Sequence, residues 1–154
     1  MAWLLIMKLT KELAYLIGFW KVRATKEGIG VVGSEEAQEK FISELLKLKL
    51  VAPDRILLKN GVALFHHIKY RNDFLNVIKN QNDLFARKNK LTAAYVQGMY
   101  DSEGSFEKGI LIINKTSFQD QMLIERLGFY TERRKGTLRI RDPEAFLEFL
   151  RKYN

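Results

Sequence analysis

The sequence predicts an α+β fold made of two pseudo-symmetric copies of one unit that share a core. The first observation is an internal repeat, in which residues 14–20 match residues 94–100 in size or chemistry, except for the pair Ile17 and Gln97. The second is the order of hydrophobic patterns, which in each half reads helix, hairpin, helix, hairpin, helix. The third is the length of 154 residues, which suits two small repeats fused around one core.

A polar stretch at residues 87–90 is the natural linker between the two copies. It divides the chain into a first repeat over residues 1–90, which includes an N-terminal extension, and a second, more compact repeat over residues 91–154. Both repeats are expected to form one pseudo-dimeric unit within a monomer.

In the first repeat, Thr10 is placed to cap a helix that runs to about Gly18. Alternating polar and apolar residues predict a strand over 21–25, and a second short strand follows over 29–33. Ser34 is predicted to cap the next helix. The remaining predicted elements are strands over 55–59 and 62–70 around Asn60-Gly61, and a closing helix that contains Phe74, Ile78 and Phe85.

The second repeat follows the same order in fewer residues. A helix over 91–100 is predicted, followed by a hairpin of strands 105–108 and 110–115 around Gly109. Ser117 is predicted to cap a helix through Leu127, and strands 131–134 and 137–141 flank Lys135-Gly136. Asp142 then caps a last helix, with Pro143 at its favoured first position.

The two copies differ most where their first helices end. Residues 101–105 read Asp-Ser-Glu-Gly-Ser, whereas residues 21–25 read Lys-Val-Arg-Ala-Thr. The segment 91–105 resembles the signature helix of the LAGLIDADG homing endonucleases, with residues 96–104 on the nine-residue motif, and residues 13–20 resemble the same motif without its acidic end. Two matches at repeat spacing are far more specific than one short motif.

The resemblance implies roles for the acids of the second motif. Glu103, just before the final glycine, would be the catalytic acid and the ligand of a Mg²⁺ ion, and Asp101 would be the second acid of the catalytic site. Magnesium prefers oxygen ligands, and it assists phosphodiester cleavage by polarising the phosphate and activating water. Mg²⁺ is therefore the cofactor expected if the nuclease is active.

Glycine and alanine recur on one face of both motif helices. Gly18 and Gly98 lack side chains, and Ala14 and Ala94 lie one turn earlier on the same faces. A glycine inside a helix costs about 1 kcal/mol relative to alanine, so its presence in both copies favours close packing. These four residues are the predicted interface between the two helices.

The first repeat has cations at the two positions where the second repeat has acids. Lys21 and Arg23 occupy the places of Asp101 and Glu103. An arginine carries the same net charge as a carboxylate that holds Mg²⁺, so Arg23 is expected to hold a DNA phosphate without activating water. The absence of an acid here predicts degenerate or lost double-strand cleavage.

Further cations follow the predicted strands. Thr137, Arg139 and Arg141 share one strand face, away from Leu138 and Ile140. A basic face on a twisted sheet suits the phosphates and the major groove of DNA. The complete set of predicted DNA-binding residues is Lys21, Arg23, Arg55, Lys59, Arg133, Lys135, Arg139 and Arg141.

The composition agrees with a polyanionic partner. The net charge is +8, and residues 1–90 hold 16 Lys and Arg against 9 Asp and Glu, whereas residues 91–154 hold 10 against 9. The chain has no cysteine, which excludes disulfides and thiolate sites. The apolar residues 1–7 are too short for a membrane span and lack a cleavage signal, so a packed extension of a soluble cytoplasmic protein is expected, with no membrane partner.

The function predicted from the sequence is binding of double-stranded DNA by a LAGLIDADG-like protein with degenerate or lost nuclease activity. Three alternatives remain open at this point. The chain is an active or nicking Mg²⁺-dependent DNA endonuclease, or an RNA-binding intron maturase, or a scaffold that binds other proteins and kept only the fold.

Overall fold

The computed structural model describes residues 8–153 and has seven helices and two antiparallel sheets in that range. The predicted N-terminal extension, residues 1–7, lies outside the described residues. The helices are α1 (Lys11–Lys21), α2 (Glu35–Lys47), α3 (Ile68–Lys79), α4 (Gln81–Leu84), α5 (Lys90–Glu103), α6 (Phe118–Arg126) and α7 (Pro143–Tyr153). The strands are β1 (Ile29–Val32), β2 (Leu57–Lys59), β3 (Val62–Phe65), β4 (Gly104–Glu107), β5 (Ile110–Ile113), β6 (Thr131–Arg134) and β7 (Thr137–Ile140).

Helices α1 and α5 form the centre of the fold and cross at two glycines. A Cβ atom on Gly18 would lie 2.1 Å from the carbonyl oxygen of Tyr95, and a Cβ on Gly98 would lie 2.1 Å from the carbonyl oxygen of Tyr15. These contacts are reciprocal, because Tyr15 and Tyr95 hold equivalent places in the two motifs. The backbones therefore touch where any side chain larger than hydrogen would separate them.

Each half has one antiparallel sheet, whose strands follow its central helix in the chain. The first sheet has the strand order β1-β3-β2, and the second has the order β4-β5-β7-β6. Ala24 makes an isolated bridge to Val31, beside β1, where the second sheet has β4. The first sheet thus retains one residue of the fourth strand.

Backbone hydrogen bonds establish which residues of the two halves correspond. The amide of Val32 donates to the carbonyl of Arg23, and the amide of Asn114 donates to the carbonyl of Glu103. Arg23 and Glu103 therefore lie at equivalent points, each just after a central helix and beside the end of the neighbouring strand.

The strand predicted over residues 21–25 is wrong apart from the bridge at Ala24. Helix α1 continues to Lys21, and Val22 is its C-cap. The alternation of polar and apolar residues was misleading, because Lys21 lies in a buried ion pair and not on an exposed strand face. Trp20 and Val22 are both buried, at 1% and 3% exposure.

Several other helices and strands begin or end at different residues from those predicted, because helix caps and chain breaks set their ends. Residues Pro53–Arg55 form a 3-10 turn before β2. Strand β3 ends at Phe65 because the His67 side chain caps α3, accepting a hydrogen bond from the Tyr70 amide over 3.1 Å. The predicted closing helix of the first repeat is divided at Asn80 into α3 and α4. Helix α5 extends to Glu103, three residues further than predicted.

Three of the four predicted hairpins are confirmed, since β2 pairs with β3, β4 with β5, and β6 with β7, whereas the hairpin predicted from residues 21–25 and 29–33 is reduced to the Ala24–Val31 bridge. Each turn is an X-Gly pair with positive φ at both residues, which is typical of a type I′ turn. The φ angles are 49° and 77° at Asn60-Gly61, 53° and 77° at Lys108-Gly109, and 51° and 82° at Lys135-Gly136.

The core lies between the sheets and the helices. It contains the inner faces of both sheets together with the facing sides of α1 and α5. Its largest fully buried side chains include Trp20, Tyr95, Phe41 and Phe74. None of the helices within residues 8–153 has the length and apolar character needed to span a bilayer.

Candidate nucleic-acid interface

The ends of the two central helices bring Arg23 and Glu103 together. Nε of Arg23 lies 3.5 Å from Oε1 of Glu103, and the two side chains are only 17% and 11% exposed. The Arg23 guanidinium also donates from Nε to the Ser102 carbonyl over 2.7 Å and from Nη1 to the Val32 carbonyl over 3.2 Å. The arginine is therefore fixed in place by the second repeat and by the end of β1.

A second cation lies against the same carboxylate. Nζ of Lys115 is 3.5 Å from Oε1 of Glu103, and this lysine side chain is 58% exposed. Glu103 thus lies between two cations, and the three side chains together carry a charge of +1. We refer to Arg23, Glu103 and Lys115 as the central charge cluster.

Sequence reasoning missed Lys115, although a comparison of loop lengths indicates it. The amides of Gly33 and Thr116 donate to equivalent carbonyls, those of Gly61 and Gly136. Val32 corresponds to Asn114, so Lys115 is an extra residue in the second repeat. It has a φ of 57°, which turns the chain at this insertion.

Asp101, the second predicted catalytic acid, contacts the opposite helix. One carboxylate oxygen accepts a hydrogen bond from the Tyr15 hydroxyl over 2.6 Å, and the other accepts from Nε2 of Gln97 over 2.7 Å. Burial raises the pKa of Tyr15, and the bond to Asp101 raises it further, so the tyrosine is a stable hydrogen-bond donor. Asp101 therefore links α5 to α1.

Lys21 does not belong to the exposed surface, contrary to its prediction as a DNA-binding residue. Its ammonium group pairs with Asp120, and the two side chains are only 9% and 1% exposed. Nε2 of Gln81 donates to the same carboxylate over 2.8 Å, and the Tyr95 hydroxyl donates to Gln81. A lysine held in this buried network cannot reach a phosphate without breaking it.

The electrostatics of this pair are consistent with an ion pair. Burial would raise the pKa of Asp120, but the Lys21 ammonium and the hydrogen bonds from Gln81 and Ser117 outweigh it and lower the pKa. Asp120 also completes a capping box with Ser117 at the start of α6. The network therefore joins α1, α4, α5 and α6 and has a structural role.

The outer face of the second sheet carries part of the predicted cationic surface. Arg139 pairs across the strands with Ile112 and Glu132, and Thr137 pairs with Arg134. These side chains point away from the core, because Leu138 and Ile140 between them are buried. Arg134 was not predicted as a site residue. The register places it on this face, and a strict count of alternation across the hairpin would have found it.

Arg133 lies on the core side of the second sheet, whereas Arg141 lies at its surface in an ion pair with Glu132. Arg133 pairs with Leu138, so its side chain lies on the core side, where Nη2 donates to the Thr116 carbonyl over 2.7 Å. Arg133 therefore does not share the outer face with Arg139, contrary to its prediction as a DNA-binding residue. Arg141 is exposed and binds Glu132, with Nε at 2.9 Å from Oε1, and its hydrogen bond lowers the pKa of Glu132.

The remaining predicted cations are exposed. Lys135 lies in the β6–β7 turn, and Lys59 lies on the outer face of the first sheet, paired with Val62. Arg55 is exposed in the 3-10 turn before β2. Four of the predicted cations thus lie at sheet surfaces or turns: Lys59, Lys135, Arg139 and Arg141. Arg23 lies in the central charge cluster. Lys21 and Arg133 do not lie on the outer surface.

The side chains around Glu103 do not form a site for a divalent cation. Within residues 8–153, no group of three or more His, Cys, Asp or Glu side chains is arranged to hold a metal ion. At Glu103, the predicted metal ligand, the nearest charged partners are Arg23 and Lys115. Two cations on one carboxylate oxygen do not fit a Mg²⁺ site, which requires several oxygen ligands.

Comparison with known proteins gives matches of fold. No protein-family model matches the sequence, and no curated protein matches it. A crystal structure of I-DmoI in complex with DNA and Mn is 18% identical over 94% of this chain and 96% of that one, with a TM-score of 0.65.

Two further structures of I-DmoI variants are equally similar. One, in complex with its target DNA in the presence of Mg, is 17% identical over 92% of this chain and 94% of that one, with a TM-score of 0.64. The other, with its target DNA and Mn, is 18% identical over 95% and 94%, with a TM-score of 0.66. This chain therefore has, over nearly its whole length, the α+β LAGLIDADG-like fold of I-DmoI.

Proposed function

We propose that this protein binds double-stranded DNA along the outer faces of its two sheets, as a monomer in which each repeat contacts one half of the target. The fold carries this proposal, because it matches DNA-bound I-DmoI over 92–95% of the chain. The two repeats act as one pseudo-dimeric unit, with residues 1–90 and 91–154 on either side of the α1–α5 crossing.

The charge distribution supports a phosphate-binding surface. The protein has a net charge of +8, and Lys59, Arg134, Lys135 and Arg139 are all exposed on the sheets or their turns. Phosphate contacts position a protein on DNA, whereas side chains on the sheet face read the base edges in the major groove.

The central charge cluster supports attenuated nuclease activity. Metal-assisted hydrolysis needs carboxylates that are free to bind the metal, and here Glu103 is neutralised by Arg23 and Lys115. The equivalent point in the first repeat is Arg23 itself, so the site lacks its second acid. In this proposal, the net positive charge of the cluster attracts the phosphates between the two halves of the target.

A second candidate function is that of a nicking endonuclease. The observation that favours it is the position of Glu103, at the junction of α5 and β4, where the LAGLIDADG motif that this segment resembles has its metal-binding acid. In this case Glu103 would have to part from Arg23 and Lys115 before it could hold Mg²⁺ or Mn²⁺. The ion would polarise the phosphate and activate water there, and a single such acid would suffice for cleavage of one strand only.

One set of measurements separates these functions. Fluorescence anisotropy with a short duplex of random sequence should give binding whose log–log salt slope is about −5, as expected for about six phosphate contacts. Structured RNA that competes better than duplex DNA would indicate the maturase alternative. If the protein binds neither nucleic acid at low salt, the protein-binding scaffold is the one alternative that remains. Conversion of supercoiled plasmid to open circles in Mg²⁺ or Mn²⁺ would establish nicking, and conversion to linear DNA would overturn the attenuated site.

A further inference from the structure

The outer faces of the two sheets differ in chemistry. The first sheet carries four aliphatic side chains and one cation on this face: Val32, Leu57, Val62, Leu64 and Lys59. On β1 and β3 they occupy the side away from the core, since Ile29, Val31, Ala63 and Phe65 alternate with them and are 0–2% exposed. Leu57 and Lys59 of β2 share this face because they pair with Leu64 and Val62, although Leu58 between them, at this edge of the sheet, is itself 65% exposed. Leu57 is 52% exposed.

The second sheet presents a mainly polar face at the corresponding place, with Ile110, 40% exposed, and Ile112 as its two aliphatic side chains. Ser105, Ile112, Arg139 and Glu132 lie side by side across its four strands, and Thr137 pairs with Arg134 in the next row. The two sheets are reached from the same end of the α1–α5 pair, where Arg23 meets Glu103. One half of this surface is therefore mainly aliphatic, and the other half carries most of its charged and polar side chains.

Aliphatic and charged side chains recognise different bases in the major groove of DNA. Only thymine presents a methyl group there, and aliphatic side chains contact it, whereas arginine binds the O6 and N7 acceptors of guanine. We infer which bases each half of the target presents: the half under the first sheet is recognised through thymine methyl groups, and the half under the second sheet through guanine. This inference rests on the proposed DNA-binding function and adds the base composition of each half-site.

The dimensions of the first sheet favour a groove over a protein partner. Three strands span about 10 Å between the outer two, which is close to the width of a major groove of about 12 Å. With strands of 3–4 residues, this face is too small to form by itself a stable protein interface, in which each partner buries about 800 Å², whereas on DNA it would be only one of two contact surfaces. Lys59 on the same face also suits a polyanion.

The test uses base analogues that change one group each. The probe is a duplex with one alternating A·T half and one G·C half, and its affinity is compared with that of the same duplex carrying deoxyuridine in place of thymidine. Removal of the methyl group should weaken binding by about three- to fourfold for each contact, because one buried carbon is lost. Replacing guanine with 7-deazaguanine in the other half should weaken binding separately.

Matched variants assign each effect to a sheet. Leu57→Asn should reduce the difference between thymidine and deoxyuridine and keep the 7-deazaguanine effect. Arg139→Ala should reduce the 7-deazaguanine effect and keep the difference between thymidine and deoxyuridine. Leu46→Asn is the control, since Leu46 is exposed at 38% on α2 and outside both sheet faces. Circular dichroism verifies that each variant is folded.

The outcomes separate this inference from the function on which it rests. Equal affinity for the two duplexes, with the salt-dependent binding intact, would overturn the asymmetric recognition and leave DNA binding standing. Loss of binding to every duplex would overturn both. If Leu57→Asn instead dissociates a dimer in sedimentation velocity and leaves the DNA preference unchanged, the aliphatic face is a protein interface and the inference is wrong.

Discussion

Arg23 and Glu103 hold equivalent places after the two central helices, and their side chains meet, with Nε of Arg23 at 3.5 Å from Oε1 of Glu103. The pair replaces the two acids that a symmetric site would have at its centre. Because Lys115 binds the same oxygen, the carboxylate is already neutralised before any ligand arrives. The first prediction concerns this carboxylate.

Glu103→Gln should increase the affinity for duplex DNA in the absence of metal. The change removes a negative charge beside Arg23 and releases the exposed Lys115 towards phosphates. Unit charges 4 Å apart in water interact by about 1 kcal/mol, which corresponds to about fivefold in affinity. Any cleavage in Mg²⁺ should disappear. Anisotropy titrations in EDTA and a plasmid-nicking assay measure the two effects.

Glu148→Gln is the control for this experiment, because it also frees an arginine, Arg151, from an exposed ion pair. Its affinity should match that of the parent protein. The reverse substitution in the first repeat, Arg23→Glu, should weaken metal-free binding and make affinity depend on divalent metal. Affinity that ignores both Glu103→Gln and Arg23→Glu would place the central charge cluster away from DNA.

Gly18→Ala should destabilise the protein. An alanine in place of an unpacked helical glycine stabilises a helix by about 1 kcal/mol, whereas here the added Cβ would lie 2.1 Å from the Tyr95 carbonyl oxygen. Separation of α1 from α5 should cost roughly 1–3 kcal/mol or more. Urea denaturation followed by tryptophan fluorescence gives the free energy of unfolding.

Gly109→Ala provides the comparison, since nothing lies within 4 Å of its Cβ position and only its φ of 77° opposes the change. We expect it to cost about 1 kcal/mol. A Gly18→Ala protein more stable than the parent would mean that the helices do not touch at this residue.

Asp120→Asn should destabilise the fold by roughly 3–5 kcal/mol, because it leaves the buried Lys21 ammonium without its anionic partner. The pKa of Asp120 is lowered in the folded state, so its contribution is present above about pH 4, the ordinary aspartate range, and is lost as the pH falls through the lower folded value. The difference in stability between parent and variant should therefore shrink below about pH 4.

Asp142→Asn is the matched control for this substitution. Asp142 caps α7 through an exposed hydrogen bond from the Ala145 amide, 3.1 Å long, and asparagine caps helices equally well. Its cost should stay within about 0.5 kcal/mol. A small, pH-independent cost for Asp120→Asn would show that the ion pair does not contribute to stability.

Arg139→Ala should weaken DNA binding and make the log–log salt slope less negative by up to about 1 if the side chain contacts a phosphate. If it contacts a base instead, the loss should depend on the sequence of the duplex. Lys47→Ala and Arg151→Ala are the controls, because both residues lie on exposed helix positions away from the outer sheet faces. Equal losses in all three variants would indicate a diffuse electrostatic effect.

Local signals in the sequence were sufficient for most of the architecture. Caps such as Thr10, Ser34 and Ser117 depend on a side chain and an amide three residues away, and all three start helices as predicted. The X-Gly turns require positive φ and so identify the hairpins from two residues each. The repeat of Gly18 and Gly98 indicated two helices in close contact before any contact was known.

Tertiary structure alone decided what the charged residues do. Lys21 is an exposed strand cation by its pattern, yet Asp120, 99 positions away, places it in a buried pair. The motif predicts that Glu103 is a metal ligand, yet Arg23 and Lys115, which lie outside its helix, form ion pairs with it and neutralise its charge. The sequence by itself determined most helix starts and the hairpin turns, because caps and X-Gly turns depend on neighbours within about one turn of chain. The crossing point was indicated by the internal repeat, which places a glycine at the same position in both central helices. Which cations face outward depended on long-range contacts and on strand register, because an ion pair is specified by distance in space and not by spacing along the chain.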